Sequence, residues 1–222
     1  MPKNPIKILV LFYSLTGATA KLAEAIADGA RAVVNTEIAV KQVPELLPPE
    51  FFADKPQLKK THDKLASKFE IATAEDLINA DGVAFGTPTH FGSFASQFKQ
   101  FLDQLSGEWL QGKLVNKPAA LFCAAGSIHG GEELTLLSMM IPLLNLGMIP
   151  IGIPYPIQGA GPNFDAGSPY GAVYVTRGNR ELSEGDKKVA RILGTRLATM
   201  AHILNCGCEH CNLCHVLNKK IT

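Results

Sequence analysis

Apolar residues along this chain follow two rhythms. Ile6 to Tyr13 is a nearly unbroken apolar run with β-branched and aromatic residues, bounded by Ser14 and Gly17, the pattern of a parallel strand buried on both faces. Gly82 to Thr87, ending at Pro88, Pro118 to Ala124 and Ile149 to Ile153 are runs of the same kind. Thr36 to Val43 predicts another strand, which the prolines at 44, 48 and 49 cannot continue because proline lacks the ladder donor. Between these runs the spacing turns helical. From Thr19 to Ala32, the apolar Leu22, Ala23, Ile26, Ala27 and Ala30 alternate with Lys21, Glu24, Asp28 and Arg31. Ala74 to Ala80, Ser96 to Leu105 and Glu132 to Leu146 predict further helices, the last weakened at Pro142. Ser183 is placed to cap a final helix whose buried side carries Val189, Ile192, Leu193, Leu197, Met200, Ala201 and Leu204.

Strands alternating with helices predict an α/β fold: an open, twisted, five-stranded parallel sheet with helices on both faces. Two stretches fall outside that alternation. The region from Pro44 to about Phe69 is charge-rich and punctuated by proline, so it is expected to be an exposed excursion with one short helix. Pro154 to Gly178 is rich in Gly and Pro and is expected to be a long surface excursion. One domain over residues 1–204 followed by a cysteine-rich tail, 205–222, accounts for the organisation.

Composition narrows the functional classes. With 222 residues, 46% hydrophobic, 18% charged and a formal charge of +1, the chain has no electrostatic basis for binding nucleic acid or an acidic membrane. The N-terminal residues lead into a strand without an apolar signal core, so a cytoplasmic protein is expected. The mainly apolar region from Leu134 to Ile153 is broken by Pro142, Asn145, Gly147 and Pro150, which argues against a membrane span.

In an open parallel sheet, ligands bind outside the C-terminal ends of the strands. Three loops occupy such ends. Ser14-Leu15-Thr16-Gly17-Ala18-Thr19 joins a buried strand to a helix N-terminus: its hydroxyls can donate to phosphate oxygens, Gly17 permits the turn, and the helix supplies free amides and a partial positive charge. It has neither the Gly-Lys-Ser/Thr ending of a P-loop nor the Rossmann Gly-x-Gly-x-x-Gly. The second loop, with Pro88, Thr89, His90, Phe91 and Gly92, offers backbone groups and rings to a planar heterocycle. The third, with Ala124, Ala125, Gly126, Ser127 and Gly130, lets backbone approach a ligand closely. A phosphate at one end and a planar ring at the other describe FMN on a flavodoxin-like domain.

The sequence resembles the WrbA family of flavodoxin-like NAD(P)H:quinone oxidoreductases from about Ile6 to Leu204. The similarity is carried by Val10-Leu11-Phe12-Tyr13-Ser14, Val43-Pro44-Glu45 with Pro48-Pro49, Phe85-Gly86-Thr87-Pro88-Thr89, Phe101-Leu102-Asp103-Gln104 and Gly167-Ser168-Pro169-Tyr170-Gly171-Ala172. The resemblance implies FMN on the three loops, two-electron reduction of quinones by NADH or NADPH with ping-pong kinetics, and a homotetramer in which Trp109 covers a neighbouring subunit's flavin site. It also implies that Asn145 lies close to flavin and substrate, where the family carries a histidine, and that Thr16 replaces an aromatic near the nicotinamide. The loop from Ser127 to Gly131, with Ile128 and His129, is one residue longer than its counterpart. An electron carrier of the flavodoxin type, serving a protein partner, is the alternative on the same fold.

The tail falls outside that resemblance. Cys206, Cys208, Cys211 and Cys214, with His210 and His215, stand within ten residues, a spacing that can enclose Zn²⁺ or support thiol-disulfide exchange. A metal-responsive binding protein working through this tail is therefore a further reading. Cys123, at the end of an apolar run, is expected in the core.

Overall fold

A computed structural model describes residues 4–159, 168–178 and 180–205. The tail cysteines Cys206, Cys208, Cys211 and Cys214 lie outside the described residues. Strand β1 (Ile6–Phe12) is central, with β2 (Thr36–Gln42) on one side and β4 (Gly82–Pro88) on the other; β5 (Pro118–Ala125) follows β4, and all pairings are parallel. Alternate residues of β1 enter different cores, as the two-residue period requires. Ile8, Val10 and Phe12 pack on one face with α1 (Ala18–Arg31) and α8 (Glu184–Leu204). Leu9 and Leu11 pack on the other with α3 (Ala74–Asn79), α4 (Ser96–Asp103) and α6 (Glu132–Asn145).

The sheet has seven strands, not five. One addition is β3 (Glu70–Ile71), which pairs with the end of β2 at the sheet's edge; its two residues are both exposed and leave no periodic trace. The other comes from a divided edge position. β6 (Ile149–Ile151) pairs with Pro118 to Ala120, and β7 (Ala172–Val175) pairs with Phe122 to Ala125. Because β4 already occupies the opposite side of β5 along Ala119 to Ala124, both short strands share its remaining side. The Gly/Pro-rich excursion thus interrupts one edge strand and returns to complete it. Two further short helices, α5 (Ser106–Leu110) and α7 (Tyr155–Gln158), and the longer α2 (Pro56–Lys68) complete the chain.

Helices α1 and α8 cross at backbone contact. A Cβ on Gly29 would lie 2.0 Å from the Arg191 carbonyl oxygen, and one on Gly194 would lie 2.0 Å from that of Ile26. Ser183 caps α8 as its sequence predicts, in a capping box with Asp186. Cys123 is completely buried, and burial pushes its thiol up to about 12, so it serves the core rather than thiolate chemistry.

Candidate cofactor site at the strand ends

Gly17, with φ 87°, is the N-cap of α1 and supplies no side chain to its amides. No acidic residue stands in the helix's first turn. The Ser14 hydroxyl is buried without a protein partner, and a buried hydroxyl left so is costly unless a ligand satisfies it. Together the free helix amides and the orphaned hydroxyl fit a phosphate group.

The second loop is shaped as a tight turn. His90 N donates to Ser93 O at 2.8 Å and Ser93 N returns a bond to His90 O at 3.0 Å, with Phe91 and Gly92 at φ 53° and 74° between them. These values are those of a type I′ turn, which needs positive φ at both central positions. The turn leaves Phe91 fully exposed. Thr87 holds the base of the loop: its hydroxyl accepts from Ala95 N at 2.9 Å and donates to Pro88 O at 2.9 Å. The second and third loops touch, since a Cβ on Gly131 would sit 2.8 Å from Gly92 Cα.

All three loops converge on a cavity of about 490 Å³. Leu15, Thr16, Ala18 and Thr19 line it from the first, Pro88, Thr89 and His90 from the second, and Ala124, Ala125 and Gly126 from the third. Burial lowers the pKa of His90, which keeps its ring neutral at pH 7. Of the remaining expected residues, Ser14 sits buried beneath the first loop, while Gly17, Phe91, Gly92, Ser127 and Gly130 shape the loops without lining the cavity. Trp109 and Asn145 lie elsewhere, at the far end of α6, where the indole Nε1 donates to the Asn145 carbonyl at 2.9 Å and Asn145 Nδ2 donates to Ile141 O at 3.0 Å.

A fourth wall was missed by sequence reasoning: Tyr174, Thr176, Gly178, Arg180 and Glu181, with Lys21 facing them from α1. Its signal was available in Thr176-Arg177-Gly178 followed by the Ser183 cap, the same strand, loop and helix order as the other three. The wall is braced by Arg180, whose guanidinium pairs with Asp186 at 2.7 and 3.3 Å while its Nε donates to Val175 O at 2.9 Å. Lys21 and Glu181 form an ion pair at 2.6 Å across the rim. Among the described residues, no group of three His, Cys, Asp or Glu side chains could hold a metal, and no helix is long and apolar enough to cross a membrane.

Comparison with known proteins agrees with this geometry. Residues 6–161 match the family model described as NADPH-dependent FMN reductase. A protein of Geotalea uraniireducens named NAD(P)H dehydrogenase (quinone) is 40% identical over 200 residues, covering 88% of this chain and 98% of the relative. One of the same name from Archaeoglobus fulgidus is 43% identical over 198 residues, covering 89% and 98%. In fold, the chain is similar to a flavodoxin, WrbA-like protein from Agrobacterium tumefaciens, with a TM-score of 0.62, 23% identity and coverage of 89% and 98%. The chain therefore belongs to the NADPH-dependent FMN reductase family, among the flavodoxin-like NAD(P)H:quinone oxidoreductases that its sequence resembles.

Proposed function

We propose that this protein binds FMN in the strand-end cavity and reduces quinones by two electrons at the expense of NADH or NADPH. The observation that carries the reading is the cavity itself, with a phosphate cradle at one end and neutral, backbone-rich loops at the other. FMN supplies the hydride chemistry when bound. The chain's own residues do the rest: Ser14, Thr16, Thr19 and the α1 amides hold the phosphate, while loops 88–92 and 124–130 hold the ring. No side chain needs to act as acid or base. The names of the two relatives support the reaction class.

The exposed face of α6 supports an assembly. Leu134, Leu137, Ile141 and Leu144 form a solvent-exposed apolar stripe at spacings of three and four residues, continued by Trp109 and Leu110. The stripe runs from the third loop to the Trp109–Asn145 contact, about 21 Å for a helix of this length. Packed against the same face of a second copy in antiparallel fashion, it would carry Trp109 and Asn145 of each chain toward the other's cavity. A homotetramer built on such pairs reconciles the distant positions of these residues with a role at the substrate end.

Adding FMN to the purified protein, then NADH, then benzoquinone tests the function. Stoichiometric flavin uptake, bleaching by NADH and recovery of colour with benzoquinone are expected, with parallel double-reciprocal plots. A protein that takes up no FMN, or oxidises no NADH once loaded, overturns the reading; one whose flavin is reduced only by a protein partner points to the carrier.

A further inference from the structure

The Val43-Pro44-Glu45 stretch has no flavin-binding chemistry of its own, yet the structure gives Glu45 a set of partners centred on the cofactor loops. Tyr13, directly before Ser14 and 3% exposed, donates its hydroxyl to Glu45 Oε2 at 2.9 Å. Gln97, in the first turn of α4 and 4% exposed, donates Nε2 to Glu45 Oε1 at 2.8 Å and to the Tyr13 hydroxyl at 2.9 Å. Leu46 N and Leu47 N donate to Glu45 Oε1 at 2.8 and 2.9 Å. One carboxylate thus receives four donors, three on Oε1 and one on Oε2.

Those donors belong to different parts of the site. Tyr13 directly precedes the loop at Ser14–Thr19, and its amide donates to Gly86 O, within β4, at 2.9 Å. Gln97 stands four residues after Ser93, on the helix whose start the Thr87–Ala95 bond ties to the ring loop. Glu45 itself follows β2, held beside β1 by the Val43 N to Phe12 O bond at 2.9 Å. A network joining the buried Tyr13 and Gln97 side chains to the half-buried Glu45 therefore spans the phosphate loop, the ring loop and the excursion after β2. Removing Glu45 would leave the buried Tyr13 and Gln97 donors without this acceptor, and removing Gln97 would leave Glu45 and the Tyr13 hydroxyl each short of a donor.

We propose that Glu45 is a positioning residue for the flavin site, fixing the spacing between the loop at Ser14–Thr19 and the loop at Pro88–Gly92 through Tyr13 and Gln97. It touches neither cofactor nor substrate. The proposal rests on the FMN reading above, because spacing matters only if one ligand bridges both loops. A purely structural Glu45 would lower stability and leave the bound flavin unaltered.

The test uses full-length wild type, Glu45→Ala, Glu45→Gln and Gln97→Leu, titrated with FMN by fluorescence quenching, with visible spectra of the bound flavin and thermal unfolding of the flavin-free proteins. Glu45→Ala should weaken FMN binding about tenfold or more and shift the flavin's absorption envelope, since misplaced binding groups cost affinity steeply. Gln97→Leu should move both readouts in the same direction, and the double variant should be less than additive, as expected of groups in one network. Glu45→Gln keeps an acceptor for three of the four donors and should stay within about threefold of wild type. If wild type does not bind FMN, the cofactor reading fails and this proposal with it. If wild type binds but Glu45→Ala and Gln97→Leu match it in affinity and spectrum, positioning is overturned and the cofactor reading stands, whatever happens to melting temperature. Should Glu45→Ala not fold, Gln97→Leu decides alone.

Discussion

The Arg180 guanidinium grips the Asp186 carboxylate through both of its terminal nitrogens, joining the fourth wall of the cavity to the N-terminus of α8. Burial alone would raise the Asp186 pKa, but the Arg180 hydrogen bond, the Ser183 hydroxyl and the Ser183 amide outweigh it and hold the carboxyl below its ordinary 3.8. A carboxyl depressed in the folded state stabilises it above the unfolded pKa and loses that contribution as pH falls through the folded one. Asp186→Asn should therefore cost about 1.5–3 kcal/mol at pH 7, the range for hydrogen bonds to a charged group. Urea midpoints measured from pH 7 downward should begin to converge for the two proteins near pH 4 and meet only once pH has fallen below the depressed pKa of Asp186, under 3.8. Equal midpoints at neutral pH would refute the brace.

Ser14 presents a second test. On the proposed reading a phosphate satisfies its orphaned hydroxyl, so Ser14→Ala should weaken FMN binding about tenfold, the worth of one good hydrogen bond to an anion. Combining it with Thr19→Ala should weaken binding further. Riboflavin, which lacks the phosphate, should bind both proteins alike. Equal losses for FMN and riboflavin would mean that the loop contacts some other part of the flavin.

Gly194 lies inside α8, where alanine is ordinarily favoured by about 1 kcal/mol. Here the added methyl would meet the Ile26 carbonyl at 2.0 Å, so α1 and α8 would have to separate. Gly194→Ala should destabilise by about 2 kcal/mol net, an overpacking cost that exceeds the propensity gain. A denaturation midpoint equal to or above that of wild type would show that the helices part without penalty.

Charge on the α6 stripe should separate subunits. Ile141→Glu places a carboxylate in the middle of the exposed apolar row, where burial against another copy would strand it. Sedimentation should show a smaller species than wild type at the same concentration, with FMN binding retained because Ile141 does not line the cavity. A wild-type protein that sediments as a monomer would remove the basis for a shared site.

Much of this arrangement is legible in the sequence. Short apolar runs, most with β-branched residues, bounded by Ser, Gly and Pro read as buried parallel strands, and three of the four loops that follow them stand out by their Ser, Thr, Gly and Pro content. What escaped was short or polar. Glu70–Ile71 is too brief to show a period, and Ala172–Val175 sits among glycines and prolines that read as loop. The fourth wall was hidden with it, since Tyr174 and Arg180 look like excursion residues until β7 is paired with β5.

By itself the sequence determined the two-sided α/β layering, the strand-to-helix turn at Ser14–Thr19 and the cap of α8, because these depend on near neighbours: period, turn residues, a serine three residues before an aspartate. Tertiary structure alone decided that Glu45 meets Tyr13 and Gln97, that Arg180 closes the cavity, and that Trp109 and Asn145 stand away from it. Those relations join residues separated by tens of positions, and only the packing of the strands brings them together.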